Sequence, residues 1–139
     1  MIQKKPKEPV WVLRAVVEAM HHDQLREHGG LPGLRDEAAL DAALNRARNK
    51  WAYEEADMAT MAAAYAFGVA KSHPFNDGNK RSAFVTMMLF LERNGHSLEA
   101  TDAEVVATIL ALAAGELSES KLKDWIQARL RKSKRGSSA

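Results

Sequence analysis

One stretch determines how the rest of this 139-residue chain is interpreted, and it reads His73-Pro74-Phe75-Asn76-Asp77-Gly78-Asn79-Lys80-Arg81. It combines an imidazole, a carboxylate, a glycine, an amide and two adjacent cations within a very short segment. A packed core needs no such combination, whereas phosphate and metal chemistry uses all of these groups. We therefore predict that this stretch is the active site and that the remaining chain supports it.

The proline in this stretch predicts a loop between two helices. Pro74 lacks a backbone donor and restricts His73 to non-helical angles, so a helix capped by Asp57 is expected to end near Ser72. After a short loop, Asn79 or Lys80 begins a long helix that runs to residue 93. The middle of this helix, residues 84–91, is apolar nearly all round, which predicts a central helix surrounded by others. Phe75 is expected to anchor the loop in the core.

The N-terminus of this long helix is expected to bind phosphate, because it presents free backbone N–H groups and the positive end of the helix dipole. Gly78 lets the backbone approach a ligand without a Cβ clash. Lys80 and Arg81 add a point charge and a planar fork that match phosphate oxygens. Cations at this end of a helix are unfavourable unless an anion is bound, which favours a polyphosphate site over an ordinary solvated helix start.

Asp77 and His73 complete the predicted chemistry. A carboxylate beside phosphates is repelled unless a cation intervenes, and Mg²⁺ usually binds one or two carboxylates plus substrate phosphates. Asp77 is therefore expected to bind Mg²⁺, and Asn79 to donate to a phosphate oxygen or complete the metal shell. His73 is the expected general base, because an ordinary imidazole is largely neutral at pH 7 and can accept the proton of an attacking hydroxyl.

The rest of the chain predicts an all-α domain with five or six helices and almost no strand. Apolar residues at helical spacing indicate a first helix over residues 10–28 that ends at Gly29-Gly30. Asp36 can cap a second helix, while residues 51–56 are expected to form an ordered extended segment. Thr101 or Asp102 begins a fifth helix, and Ser118 or Ser120 begins a last helix that runs to about residue 131.

Composition and charge narrow the class of protein. Apolar residues make up 46% and charged residues 27%, as in ordinary globular domains, and the net charge of +2 is too small to argue for nucleic acid. The absence of cysteine excludes disulfides, thiolate catalysis and cysteine-ligated zinc. Residues 1–9 are basic and are not followed by the apolar segment of a secretory signal, and the longest apolar run is too short to span a membrane. We therefore expect a cytoplasmic protein with no membrane partner.

The active-site stretch resembles the motif of the Fic/Doc family, His-Pro-Phe-x-(Asp/Glu)-Gly-Asn-Gly-Arg-x-x-Arg. The matching positions are His73, Pro74, Phe75, Asp77, Gly78, Asn79 and Arg81. Lys80 replaces the second glycine and Phe84 stands at the second arginine, and both departures are typical of the Doc (death-on-curing) branch. The segments at residues 29–33, 52–55, 89–95 and 114–116 also look Doc-like, so that the resemblance extends from about residue 10 to residue 130.

The resemblance implies an all-helical Fic/Doc fold, with a basic extension at residues 1–9, the domain at residues 10–131 and a flexible basic tail at residues 132–139. It also implies a toxin of a bacterial toxin–antitoxin module, acting in the bacterial cytoplasm. Typical Fic enzymes transfer AMP from ATP to a protein hydroxyl, whereas Doc toxins phosphorylate a threonine of elongation factor Tu and inhibit translation. No inhibitory helix of the Fic type is found in the sequence, so a Phd-like antitoxin is the expected partner and fills an apolar groove.

Lys80 favours kinase activity over AMP transfer. Its side chain fills the space that a glycine leaves for the α-phosphate, so the nucleotide is expected to bind in the opposite direction, with its γ-phosphate at the site. The leading hypothesis is a protein-threonine kinase that uses ATP and Mg²⁺. Catalysis is assigned to His73, Asp77, Lys80 and Arg81, metal binding to Asp77, and nucleotide binding to Asn76, Gly78, Asn79, Lys80 and Arg81. The alternatives are an AMP (nucleotidyl) transferase and, third, a non-enzymatic module whose basic C-terminal face binds nucleic acid.

Overall fold

The structure is a computed structural model that describes residues 7–54 and 56–133. Over these residues the chain forms six helices and two three-residue strands, which confirms the predicted all-α fold. The elements in chain order are α1 (Arg14–His28), α2 (Glu37–Glu54), α3 (Met58–Ser72), α4 (Asn79–Arg93), β1 (His96–Leu98), α5 (Asp102–Ala113), α6 (Glu119–Arg129) and β2 (Leu130–Lys132). Among the helices of this described part, none has the length and apolar character needed to cross a membrane.

Side-chain caps determine where four of the helices begin, as the sequence predicts. In each case a side-chain oxygen just before the helix accepts a hydrogen bond from the backbone N–H three residues further on. The capping residues are Asp36, Asp57, Thr101 and Ser118. At Thr101 the cap is reciprocal, because Glu104 returns a bond to the Thr101 N–H and completes a capping box.

The core is centred on α3, which is the more deeply buried of the two helices that flank the loop at residues 73–78. Ten of its residues are buried, against six of α4. The predicted central helix α4 does contact α1, α3 and α5, but α3 is enclosed more completely because its alanines and Gly68 let neighbouring helices approach. A Cβ added at Gly68 would lie only 3.0 Å from the Cα and carbonyl oxygen of Ala43, so α2 and α3 nearly touch at their backbones.

The first helix begins later than predicted. Residues 10–13 are not helical, Leu13 has β/extended angles, and α1 begins at Arg14. The carboxamide of Asn94 binds both the N–H and the carbonyl oxygen of Val10, and the N–H of Val12 donates to the Tyr65 hydroxyl at 3.1 Å. The backbone groups of Val10 and Val12 therefore have hydrogen-bond partners outside any helix. The helical spacing of the apolar residues does not reveal this.

Two further boundaries differ from the prediction. Residues 51–54 form the last turn of α2 rather than an extended segment; Glu55, the end of the Doc-like segment there, lies outside the described residues. The last helix ends at Arg129, because Leu130 turns to β/extended angles and begins β2, which pairs antiparallel with β1. Lys132, assigned to the tail by sequence, lies opposite His96 in this ladder, while residues 1–6 and 134–139 lie outside the described residues.

Candidate active site

His73 lies at the junction between α3 and the active-site loop. It has a left-handed backbone (φ 49°, ψ 59°), the only positive φ outside glycine among the described residues. A left-handed residue is the usual way to end a helix, although it is uncommon without glycine. Arg35 secures this junction, since its Nε donates to the His73 carbonyl oxygen at 2.6 Å and its Nη2 to that of Ser72 at 2.7 Å. The His73 side chain is exposed and lines the pocket described below.

Phe75 anchors the loop in the core, as predicted. Its side chain is 2% exposed, and its backbone forms a bridge with Leu34 from the segment before α2. Burying an aromatic side chain of this size contributes about 1.5–3 kcal/mol. The loop therefore cannot move as a free surface segment, because its middle is fastened to the hydrophobic core.

Asn79 closes the loop from the first position of α4. Its Oδ1 accepts the Phe75 N–H at 2.9 Å, and its Nδ2 donates to the Phe75 carbonyl oxygen at 3.0 Å. One carboxamide thus pairs with both polar backbone groups of a buried residue. The amide that the sequence assigned to phosphate or metal binding is engaged within the loop, which leaves it one Nδ2 hydrogen for a ligand.

Asn76 ties the active-site loop to the neighbouring loop at residues 29–35. Its backbone N–H donates to the Gly33 carbonyl oxygen at 3.0 Å, and its Nδ2 donates to the Pro32 carbonyl oxygen at 2.9 Å. The side chain is exposed at the edge of the pocket. These two bonds therefore hold the glycine- and proline-rich segment of the sequence against the loop at residues 73–78.

Asp77 presents an exposed carboxylate whose orientation is fixed by backbone N–H groups. Its Oδ1 accepts the Gly78 N–H at 2.9 Å, and its Oδ2 accepts the Leu31 N–H at 3.3 Å. Within the described residues, no group of three or more His, Cys, Asp or Glu side chains is placed to hold a metal ion. A single carboxylate nevertheless fits Mg²⁺, which takes its other ligands from substrate phosphates and water.

The N-terminus of α4 has the features expected of an anion site. Gly78 is its N-cap, in a left-handed conformation (φ 76°) with no side-chain cap, and the first turn contains no acidic residue. Lys80 and Arg81 are both exposed on this turn, and neither forms a salt bridge within residues 7–54 and 56–133. Free backbone N–H groups and two unpaired cations therefore converge where a bound phosphate would complete the charge balance.

One pocket of about 790 Å³ brings these groups together. Its polar side consists of residues assigned to the site by sequence: His73, Asn76, Asp77, Gly78, Asn79, Lys80 and Arg81. Its apolar side comes from Phe84 of α4 and from Val106, Ile109 and Leu110 of α5, and its rim from residues 28–30. A volume of this size is suited to a nucleotide-sized ligand.

Sequence reasoning missed His21. This α1 residue is 5% exposed, and its ring stacks on Phe75 with centroids 3.8 Å apart and planes 10° from parallel. Its Nε2 lies 2.8 Å from the Asp77 carbonyl oxygen, which can only accept, so Nε2 is the donor. No local pattern marks His21, because its partners lie more than fifty positions further along the chain. Its place on the inward face of a helix is the one available hint.

Comparisons with known proteins identify the family of this chain. A sequence model described as the Fic/DOC family matches residues 11–91, more than half of the chain, including the whole active-site loop. The chain belongs to the Fic/DOC family. It is also similar to "Protein kinase doc" of Escherichia phage P1, with 36% identity over 111 residues that cover 78% of this chain and 86% of the phage protein. This match supports the Doc branch within the family.

Proposed function

We propose that the protein is a Doc-type toxin of a bacterial toxin–antitoxin system, a kinase that transfers the γ-phosphate of ATP to a threonine of elongation factor Tu and inhibits translation. The observation that carries this proposal is the pocket in which His73, Asp77, Lys80 and Arg81 surround the uncapped N-terminus of α4. The similarity to a phage protein kinase supports phosphoryl transfer. The antitoxin and the target are those that the resemblance to Doc toxins, marked by Lys80 and Phe84, implies.

Substrate binding rests on charge and on backbone donors. The N–H groups of the first turn of α4, with Lys80 and Arg81, bind the terminal phosphates of ATP. Phosphoryl transfer depends mostly on positioning and on stabilising negative charge, and this turn supplies both. Asp77 would hold Mg²⁺ against the same phosphates, where the ion neutralises charge on the transferring group.

His73 acts as the general base in this scheme. The threonine hydroxyl attacks the γ-phosphorus, the His73 imidazole accepts the hydroxyl proton, and the bond from the γ-phosphorus to the β,γ-bridging oxygen breaks, so that ADP leaves. Exposure of His73 at the pocket wall allows a protein substrate to reach it. The Arg35 contacts keep its backbone fixed while the proton moves.

The orientation of the nucleotide distinguishes this proposal from AMP transfer. The Lys80 side chain stands in the first turn of α4, where a typical Fic enzyme has glycine and accommodates the α-phosphate. Because Lys80 fills this space and adds a positive charge, the γ-phosphate is favoured over the α-phosphate at the site. The apolar walls from Phe84 and α5 then face the other end of the nucleotide or the protein substrate.

Purified protein incubated with elongation factor Tu and ATP labelled at either the γ- or the α-phosphorus tests the reaction. Label from the γ-position on the factor is the expected result, and label from the α-position alone would mean AMP transfer and overturn the kinase. His73→Ala and Asp77→Asn should each lower the γ-transfer rate by about 10²–10⁴-fold. His22→Ala and Asp23→Asn, two exposed positions on α1, are the matched controls and should retain the rate.

The apolar side of the pocket is the proposed docking surface for a Phd-like antitoxin. Val106 and Leu110 lie one turn apart on α5 and are 41% and 47% exposed, next to Phe84. An amphipathic antitoxin helix can cover such a wall. Leu110→Asp should weaken antitoxin binding at least tenfold in a pull-down titration, whereas Ala107→Asp, which is exposed outside the pocket lining, should not.

A further inference from the structure

The His21 ring lies against the active-site loop at three residues, Phe75, Asp77 and Gly78. Its face covers Phe75 with centroids 3.8 Å apart, and its Nε2 donates to the Asp77 carbonyl oxygen at 2.8 Å. A Cβ added at Gly78 would lie 3.6 Å from the Cδ2 and Nε2 atoms of His21, so the ring also borders the N-cap of α4. A buried imidazole therefore meets the loop beside the carboxylate and at the beginning of the phosphate-binding turn.

The hydrogen bond from His21 fixes one peptide plane. The carbonyl oxygen of the peptide between Asp77 and Gly78 is held by His21, and the N–H of the same peptide donates to Oδ1 of Asp77. If this plane rotates, the carboxylate loses its N–H partner and the left-handed turn at Gly78 loses its support. The orientation of Asp77 is therefore coupled to a side chain on α1, outside the active-site stretch.

We propose that His21 is a positioning residue for Asp77, and that its Nε2–H bond sets the carboxylate in the orientation that binds the metal–nucleotide complex. This inference rests on the proposed function only for the identity of the ligand. His21 does not touch the reacting atoms, so it changes how readily the site binds the metal and nucleotide rather than the chemistry of transfer.

Two substitutions separate the hydrogen bond from the packing. His21→Phe keeps an aromatic ring against Phe75 and removes the donor, while His21→Gln keeps an N–H donor and removes the ring. His22→Phe is the matched control, because His22 is the next residue on α1 and is exposed. Each variant is compared with the wild type in thermal melting, in the backbone amide spectrum and in the dependence of γ-phosphate transfer on Mg²⁺ concentration.

For His21→Phe, the Mg²⁺ concentration that gives half the maximal rate should rise about tenfold, the size of effect expected from one lost hydrogen bond of average strength. The maximal rate should be recovered at saturating Mg²⁺, which a general loss of folded protein would not allow. The Gly78 amide resonance should shift in His21→Phe, and His21→Gln should lie nearer to the wild type in both measurements. An unchanged Mg²⁺ dependence with an unchanged Gly78 amide would overturn the proposal, as would a His21→Gln variant no better than His21→Phe.

The wild-type protein provides a test that needs neither a variant nor activity. Long-range ¹H–¹⁵N spectra of the wild-type protein show which ring nitrogens of His21 carry a proton. The proposal requires the proton on Nε2 of His21, and a proton on Nδ1 alone would overturn it even if His21→Phe did not fold. A wild type that transfers no γ-phosphate would contradict the kinase, whereas the tautomer and the Gly78 amide test His21 separately.

Discussion

Arg35 holds the backbone of His73, since its Nε donates to the His73 carbonyl oxygen at 2.6 Å while its Nη2 donates to the Ser72 carbonyl oxygen at 2.7 Å. These carbonyl groups end α3, where no following helical N–H is available to them. The left-handed backbone of His73 is strained for a residue with a side chain. The guanidinium fork therefore stabilises the backbone of the proposed base from outside the motif.

Replacing Arg35 should affect both stability and activity. In Arg35→Ala the two carbonyl groups lose a charged partner, which should lower the free energy of unfolding by about 1–2 kcal/mol after allowance for the exposure of the site. The rate of γ-phosphate transfer should also fall, because His73 becomes free to rotate. Urea unfolding and the labelled-ATP assay measure the two effects. Arg35→Lys should recover little, since a point charge cannot reproduce the fork, and Arg26→Ala on the exposed face of α1 should remain within about 0.5 kcal/mol of wild type.

Lys80→Gly tests how the nucleotide is oriented. The substitution removes a cation from the first turn of α4 and restores the space that a typical Fic enzyme keeps for the α-phosphate. Transfer of the γ-phosphate should fall at least about tenfold, the consequence of losing one phosphate contact of about 1.4 kcal/mol. Label from the α-position should become detectable on the protein substrate. Lys80→Arg keeps the charge and should remain a kinase; equal γ-transfer by all three proteins would exclude Lys80 as the determinant.

Gly68→Ala should destabilise the fold without changing the site. The added Cβ would meet the Ala43 backbone at 3.0 Å, and neither helix can yield there without a shift of α2 against α3. Overpacking of this kind costs about 1–3 kcal/mol, measurable as a lower urea midpoint. Asn45→Ala is the control, because Asn45 is exposed on α2 and its replacement adds no atom to the helix crossing. A Gly68→Ala variant as stable as wild type would contradict the close crossing of these helices.

Tyr65 couples the stability of the core to alkaline pH. Burial raises the pKa of its hydroxyl above the ordinary value of 10.0, although the bond from the Val12 N–H lowers it in part. As the pH rises above about 10, the unfolded chain releases this proton and the folded chain retains it, so stability is lost on the alkaline side. Tyr65→Phe should remove that part of the pH dependence. It should also cost about 1–3 kcal/mol at neutral pH, because the Val12 N–H loses its acceptor.

Local signals account for most of the fold that the sequence predicts. Pro74 ends α3, Asp57 caps it, and the glycine after Asn94 ends α4, and each of these effects acts within a few residues. The predicted beginning of α1 was wrong because the contacts that determine it are distant in the chain. Val10 has its hydrogen-bond partner 84 residues away, so its apolar spacing carries no information on whether its backbone is helical or extended.

The prediction of the candidate site succeeded and failed for the same reasons. The motif residues come together because they are neighbours in the chain, and the pocket contains every one of those assigned to catalysis or ligand binding. His21 and Arg35 were not predicted as supports of the site, since they act on backbone carbonyl groups 56 and 38 positions away. The hydrogen bonds from the Asn79 carboxamide to the Phe75 backbone could not be predicted either, because a sequence does not show which polar groups a side chain binds in the fold.

The docking of residues 10–13 has a consequence for protein synthesis. Helices α2, α3 and α4 contact their sequence neighbours and can pair as they emerge from the ribosome, but Val10 must wait for Asn94. At about 5–20 residues per second the ribosome needs several seconds to add the intervening chain. Residues 10–13 thus cannot become native before α4 is made, and a nascent chain stalled before α4 would lack both this closure and the first turn of α4.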